Sequence, residues 1–477
     1  MKSRRRGKKN RDLFRQRDRG SFRPRRHIRS KRVVRSNRAA ALFGRTVDRL
    51  LPVNARVLVL SGGDEDVIRF KRCRGAHFPQ DMSGEHARYS LPGSSAAIAH
   101  LEALRFRGAE YLVVPAAAGP WFDLYPEFKR HLERRYAPID STPDDLTIFA
   151  LRSSSRWREL DELINDLRSN LTHEPALLNW DCDCAFGDLF PDCRSFQSPI
   201  KNPDTLPYAS GSIDVVALPA AQPERLSEAR RVASEALVAV SADNTGAGQA
   251  LSIERLRSKS GGAGHEPAFV SIMIWQSPRD LPVEQRLAFL RETIPSESRY
   301  EILVRYVSKR STSAQRREGS RVSRSTRQPH QDDLIVFLGS RTLPLPGWFP
   351  WLRSAFTTHP DAGVVGGGLI NFDGTGSIGI FGAEAADPGA AGSSCLRKID
   401  MCASSFFATR RSLFDAAGQR FVDPTQDAGA LAHYCAAVRD RGYAVYLEPD
   451  CNAIFFGKYD TRDGNGQYAQ INSSARL

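Results

Sequence analysis

Short apolar runs of strand length alternate with segments of helical period along most of the chain. That alternation confines the fold to the α/β class. RVLVL over 56–60 ends in a turn at Gly62–Gly63, and SSAAIAHLEALRFRGA over 94–109 follows with Ile98, Leu101 and Leu104 at helical spacing and Gly108 as a stop. EYLVVPAAA (110–118), a helix over FDLYPEFKRHLERRY and a strand over LTIFAL (146–151) complete a first unit, expected over 53–151 with mostly parallel strands. A second unit is expected over 155–250. It has a helix over RELDELINDLRSNL, strands at 176–180, 213–218 and 236–241, and a helix over PERLSEARRVA. A polar linker at 257–267 leads to a third unit, expected over 268–460 and followed by a tail at 461–477.

The charge of the chain is segmented too. The 477 residues carry a formal net charge of +14, which by itself points to a polyanionic partner. Yet residues 1–38 hold 18 Lys and Arg against Asp12 and Asp18, leaving 50 basic and 52 acidic residues elsewhere, a net of −2. The basicity belongs to an N-terminal segment, read over 1–45 as a disordered tail because like charges at this density repel. An anionic membrane surface suits residues 1–38, at about 1 kcal/mol per basic residue. Nucleic acid ranks lower, because Phe14 and Phe22 are the segment's only aromatics and no RNA-binding module is recognisable. A solvated tail without a specific partner stays open beside both. No run of about 18 apolar residues exists, so no membrane helix is expected. The basic start lacks the apolar stretch of a secretory leader, and 8 cysteines do not make a disulfide framework in a chain of this length. The expected location is cytoplasmic, peripheral to the inner face of the membrane where the tail meets it.

Five blocks stand in order between 268 and about 457: VSIMI, then DDLIVFLGSRTLPLPGWFPWL, AGVVGGGLINFDGTGSIGIFG, KIDMCASSFFATRRSLFDAAG and QDAGALAHYCAAVRDRGYAVYLEPDCNAIF. Together they resemble glycosyltransferase family 2, whose domain has the GT-A fold. The resemblance implies a hexosyltransferase-type reaction with inversion, a nucleotide-sugar donor and a glycan or lipid-linked acceptor, in polysaccharide or glycoconjugate assembly. A donor diphosphate carries negative charge that carboxylate-held Mg or Mn normally neutralises, and a carboxylate base takes the acceptor proton.

The chain departs from that pattern at two places. Where the family has an Asp after its second strand, the sequence reads Val304-Arg305-Tyr306. Where a metal-binding acidic pair should follow Phe337-Leu338, it reads Gly339-Ser340-Arg341. No metal ligand is assigned, and Mg or Mn is expected only if the altered site still binds it. Ser340 and Arg341 are the donor-binding candidates, Arg341 as a cation facing a diphosphate. Asp332 and Asp333 enter the strand and are expected to face solvent, roughly 20 Å from its far end at about 3.3 Å per residue. Asp427 in Thr425-Gln426-Asp427 matches the base position and is the catalytic candidate; a dipole-favouring residue at a helix start is the plain alternative. Two readings stand side by side: a transferase of reduced or lost activity, and a non-catalytic scaffold derived from one. A third has the protein acting on RNA or an anionic membrane through its tail.

LPYASGSIDVVAL (206–218), with EARRVA and ALVAV after it, resembles class I S-adenosylmethionine methyltransferases. The turn 181–187 lacks the glycines that let backbone approach a cofactor, which implies a cofactor-less relic. The full expectation is two small Rossmann-like units followed by a GT-A-like domain. Cys182, Cys184 and Cys193, with Asp181 and Asp183, have no standard zinc spacing and are expected to be free thiols. Gly62–Gly63–Asp64 is either a phosphate cradle or a plain strand-to-helix turn. The first unit, with HFPQD at 77–81, resembles a domain found alongside bacterial glycosyltransferase domains, which brings no assigned chemistry.

Overall fold

The computed structural model describes residues 40–256, 269–306, 333–417 and 428–470, apart from 82, 143–145, 156, 172–173, 183–185, 192, 198–204, 221, 243–248, 277–280, 296–297, 376, 379, 382–395, 458 and 461–468. The fold is mixed α/β, with three principal sheets that each contain parallel strands. The segment 1–38, the linker 257–267 and Asp427 lie outside the described residues. None of the described helices is long and apolar enough to cross a membrane.

A helix over 40–50 (α1) comes first. It lies upstream of Val53, where ordered chain was expected to begin, and overlaps the expected tail at 40–45. Phe43 and Val47 of α1, and Leu51 directly after it, recur at i, i+4 and i+8 and pack on Val57, Val59, Val113 and Ile148. Asp48 fastens it, accepting hydrogen bonds from the amides of Lys71 (2.8 Å), Arg72 (2.8 Å) and Cys73 (3.2 Å).

The first sheet contains β1 (Arg56–Val59), β2 (Arg74–His77), β3 (Tyr111–Pro115), β4 (Tyr136–Thr142) and β5 (Leu146–Ser154), ordered β2-β1-β3-β5-β4. The helices are α2 (Ser94–Phe106), α3 (Gly119–Leu124) and α4 (Pro126–Arg135). β1 runs parallel to β2 and β3, but β5 is antiparallel to both β3 and β4. The mostly parallel expectation fails at this edge; the β4–β5 pair is antiparallel because three residues are too short a connection for a crossover.

The second sheet has β6 (Ala176–Asn179), β7 (Arg194–Gln197), β8 (Ile213–Pro219), β9 (Ala233–Ala242) and β10 (Gln249–Arg255), ordered β10-β9-β8-β6-β7. Its helices are α5 (Arg158–Asn170), α6 (Phe186–Leu189) and α7 (Leu226–Val232).

The third and largest sheet is built from β11 (Val270–Gln276), β12 (Tyr300–Tyr306), β13 (Leu334–Leu338), β14 (Thr342–Pro344), β15 (Ala362–Asn371), β16 (Ser377–Ile378), β18 (Arg397–Lys398), β20 (Phe406–Arg410) and β21 (Ala444–Phe455). β17 (Ile380–Phe381) and β19 (Met401–Cys402) form a separate short pair. Its path is β12-β11-β13-β20-β15-β21-β14. The three strands β12, β11 and β13 are parallel, and β20 is antiparallel to β13 and β15. The helices are α8 (Val283–Thr293), α9 (Trp348–Thr358), α10 (Arg411–Ala417) and α11 (Ala428–Arg439).

The units share buried surface. Leu58, Phe78, Leu101 and Phe106 of the first unit belong to the same core as Phe289, Leu343, Ile370, Phe372 and Ile454 of the third. Each such side chain removes apolar area worth about 1.5–3 kcal/mol. Helix α5 packs on α9, joining the second unit to the third. Glu292 at the end of α8 ties all three. Its carboxylate meets Arg105 (3.0 Å) and Arg135 (3.2 Å) of the first unit, and Arg158 of α5 donates to its carbonyl oxygen (2.9 Å). Arg105 turns its other edge to the buried Glu102 (2.8 Å), which also accepts from His131 (2.7 Å) and from the Tyr136 hydroxyl. Burial would raise the Glu102 carboxyl, but Arg105, His131 and Arg135 outweigh it and hold it well below the usual carboxylate range.

A depressed carboxyl contributes stability above its unfolded pKa of 4.5 and loses it as pH falls. Glu102→Gln is therefore expected to lower stability at pH 7 by about 3–5 kcal/mol, the cost of stranding a buried cation. The deficit against wild type should shrink steadily below pH 4.5, as read by chemical denaturation across pH.

Candidate functional site

In open α/β sheets, ligands bind beyond the carboxyl ends of parallel strands. In the third sheet those ends are Trp275-Gln276 on β11, Arg305-Tyr306 on β12 and the Gly339-Ser340-Arg341 turn after β13. Trp275 is in register with Arg305, and Leu338, just before the turn, is in register with Ile274. Arg305, Trp275 and Gly339 thus stand at one level across three neighbouring strands, about 4.8 Å apart.

Beneath the turn lies Arg286 of α8, wholly buried. Its guanidinium donates to the carbonyl oxygens of Gly339 (2.7 Å), Thr342 (3.1 Å) and Trp275 (3.2 Å) and to Oε1 of Gln276 (3.2 Å). The turn closes on itself through the Thr342 amide and the Gly339 carbonyl (3.1 Å), and the Phe456 amide bonds the Arg341 carbonyl (2.9 Å). A Cβ on Gly339 would come within 3.1 Å of the Ser405 Cβ and 3.2 Å of the Thr342 Oγ1. An aspartate there would force its neighbours apart, so glycine is needed for the close approach.

These residues do not fit a divalent ion. Mg and Mn take carboxylate and other oxygen ligands, whereas this turn offers Gly, Ser and Arg over a buried guanidinium that repels a second cation. Among the described residues, no group of three or more His, Cys, Asp or Glu side chains is placed to hold a metal. Asp333 is buried rather than solvent-facing. Its Oδ1 accepts from the Phe269 amide (3.2 Å), which fastens the entries of β11 and β13 together.

The cationic face of the site is Arg305. It is exposed, and its guanidinium lies over the Trp275 ring, 5.6 Å from the centroid. Among the described residues it has no carboxylate partner. Trp275 is buried, and its indole N–H has no hydrogen-bond partner there either. Ser340 and Arg341 sit one and two residues beyond the level of Trp275, on the same rim. Arg305 is separated from that turn by β11, and Asp427 lies outside the described residues.

Two residues of this region escaped sequence reasoning. Arg286 reads as one more polar residue of an amphipathic helix. Glu448 reads as part of a strand, yet its side chain is 2% exposed. The glycines of β15 create its position. A Cβ on Gly367 would meet the Cys451 carbonyl oxygen at 2.2 Å and one on Gly368 the Asn452 Oδ1 at 2.3 Å. Only glycine lets β21 press this close, and the register slips between Gly367, opposite Glu448, and Gly368, opposite Asn452. Burial pushes the Glu448 carboxyl up to about 7, against a hydrogen bond from the Asp450 amide (3.1 Å).

The other motifs resolve structurally. Asp64 caps the turn after Gly63 by accepting from the Asp66 amide (2.9 Å), and Glu65 and Asp66 follow. Three acids make this a poor phosphate cradle. Asp181 pairs with Arg225 (2.9 Å), while Cys182 and Cys193 are buried in the second unit's core; Asp183 and Cys184 lie outside the described residues. A cavity of about 300 Å³ opens at the ends of β6 and β7, lined by Leu177, Asn179, Phe186, Ser195 and Gln197.

No family model and no curated protein sequence matches the chain. Among solved structures, the chain is similar to the crystal structure of GalNAc-T7 with UDP, GalNAc and Mn2+ at a TM-score of 0.30 and 11% identity. The overlap covers 42% of this chain and 44% of that one.

A raised acid makes the folded state the better proton binder between its unfolded and folded pKa values, here 4.5 and about 7. Stability should therefore fall as pH rises through that window, by about 3 kcal/mol. Glu448→Gln should abolish the decline, as measured by thermal melts between pH 5 and pH 8.5.

Proposed function

We propose that the third unit is a GT-A-like domain of the glycosyltransferase family 2 type that binds the diphosphate of a nucleotide-sugar through arginine instead of a divalent metal. The observation carrying this reading is Arg305, laid over Trp275 beside the 339–341 turn without a carboxylate partner among the described residues. Support for the fold comes from the blocks themselves. Their strands β11, β13, β15, β20 and β21 lie in one sheet, with β20 between β13 and β15. In this reading Arg305, Ser340 and Arg341 hold the donor, and Asp427 takes the acceptor proton as its hydroxyl oxygen attacks the anomeric carbon and the nucleoside diphosphate departs. The first two units serve as Rossmann-like supports. The basic segment 1–38 brings the protein to an anionic surface where lipid-linked acceptors reside.

A second reading is favoured by Arg286. Its bonds to two carbonyls of the turn fix that loop in one shape, which suits a scaffold that recognises a nucleotide-sugar without turning it over. Both readings share the metal-free anion site.

Calorimetric titration with uridine and guanosine diphosphates separates arginine from metal. Binding of at least one should persist in EDTA and change little on adding Mn. Arg305→Gln should weaken it about tenfold or more, as expected for a lost charge-assisted hydrogen bond. Absence of binding, or binding only with Mn, would sink the proposal. Removal of residues 1–38 should abolish salt-sensitive binding to vesicles containing phosphatidylserine; binding that survives would assign that role to the folded units.

A further inference from the structure

The first unit contains a hydrogen-bonded chain of three side chains that the transferase reading leaves unused. Ser61 lies two residues beyond β1, at the carboxyl end of the parallel strands β2-β1-β3. His77 ends β2, in register with Val59. The Ser61 Oγ is 2.6 Å from the His77 Nδ1, and the His77 Nε2 is 3.1 Å from Oε1 of Glu65. We propose that Ser61, His77 and Glu65 form a nucleophilic relay that acts on small carboxylic esters. Such relays are recognised by geometry and not by order in the chain.

The carboxylate of Glu65 fixes the imidazole tautomer. With the proton on Nε2 pointing at Glu65, Nδ1 is free to accept the Ser61 hydroxyl proton. His77 is held firmly, its side chain 2% exposed, whereas Glu65 is 63% exposed at the rim. The Gly63 amide donates to the Ser61 Oγ (3.3 Å), which orients the hydroxyl oxygen. Gly62 and Gly63 both have positive φ, +58° and +86°, so side chains are disfavoured there. Nothing lies within 4 Å of a Cβ built on Gly62, so the turn directly after Ser61 is uncrowded at that residue. A second imidazole, His86, packs with its ring 5.7 Å from that of His77 and lines the same edge.

The step balances as an acyl transfer. The Ser61 oxygen bonds the ester carbonyl carbon as its proton passes to His77 Nδ1. The carbon–oxygen bond to the alcohol then breaks, and that alcohol leaves with the proton. Water repeats the sequence on the acyl-serine, releasing acid and restoring the hydroxyl. The acidic run Asp64, Glu65 and Asp66 beside the serine disfavours anionic substrates and selects neutral or cationic esters.

The full chain should react with a fluorophosphonate probe at Ser61, located by peptide mass spectrometry, and should hydrolyse 4-nitrophenyl acetate. Ser61→Ala, which removes one hydroxyl from a half-buried position, should melt like wild type and lose both signals. His77→Gln should slow labelling about 100-fold, within the range for a lost general base. Glu65→Gln should slow labelling while leaving the melt unchanged, because Glu65 acts as a positioning residue. No labelling of Ser61 in the folded wild type, or equal labelling rates in wild type and a folded His77→Gln variant, would overturn the proposal. Nucleotide binding at the third unit is read separately, so either reading can fail without the other.

Discussion

The guanidinium of Arg286 beneath the 339–342 turn is the constraint around which the third unit is arranged. It holds two carbonyls of the turn, one carbonyl of β11 and the side chain of Gln276, and so fixes how three strand ends meet. It also sets the electrostatics. A buried cation at this place makes the rim receptive to an anion and hostile to a metal ion. Six residues further along α8, Glu292 gathers arginines from the first and second units. One helix thus shapes the candidate site from beneath and fastens its surroundings.

That double duty explains why the first unit is fused to the third instead of tethered to it. His100 in α2 is buried, accepts from the Gln80 amide (3.0 Å) and bonds the Phe372 carbonyl oxygen (2.9 Å), so one imidazole spans two units. Arg107 lies over Phe372, 4.3 Å from its centroid, and Phe372 stacks on Phe456 at an interplanar angle of 2°. Phe456 in turn donates its amide to Arg341. The rim of the third sheet is braced through this aromatic stack by the first unit, and a braced rim holds a site in register better than a free loop does.

Much of the fold was legible in the sequence, because strand-length apolar runs and helical spacing survive into the structure. The runs at 176–180, 213–218 and 236–241 became β6, β8 and β9, and the helix expected at 158–171 became α5. What escaped had weak local signals. β2 (RGAH) and β7 (RSFQ) are four residues each and largely polar, formed because a neighbouring strand offers a ladder. Helix α1 was hidden by the basic composition around it. At the candidate site, the absence of carboxylates at 305 and 339–341 was plain from the residue types. The place of Arg286 was not, since that residue comes from a helix more than 50 positions before the turn and only the fold brings it beneath. Asp333 shows the reverse error: an acid at a strand entry looks solvated until a neighbouring strand's amide is found to need it.

In the proposed site, charge at this rim comes from arginine and not from metal. Anomalous diffraction from a crystal soaked with UDP and Mn2+ tests it directly. A diphosphate should lie between Arg305 and the 339–341 turn, with no anomalous peak in contact with it. A manganese peak bridging the diphosphate oxygens to the protein at that rim, or a nucleotide seated elsewhere with the rim empty, would contradict it.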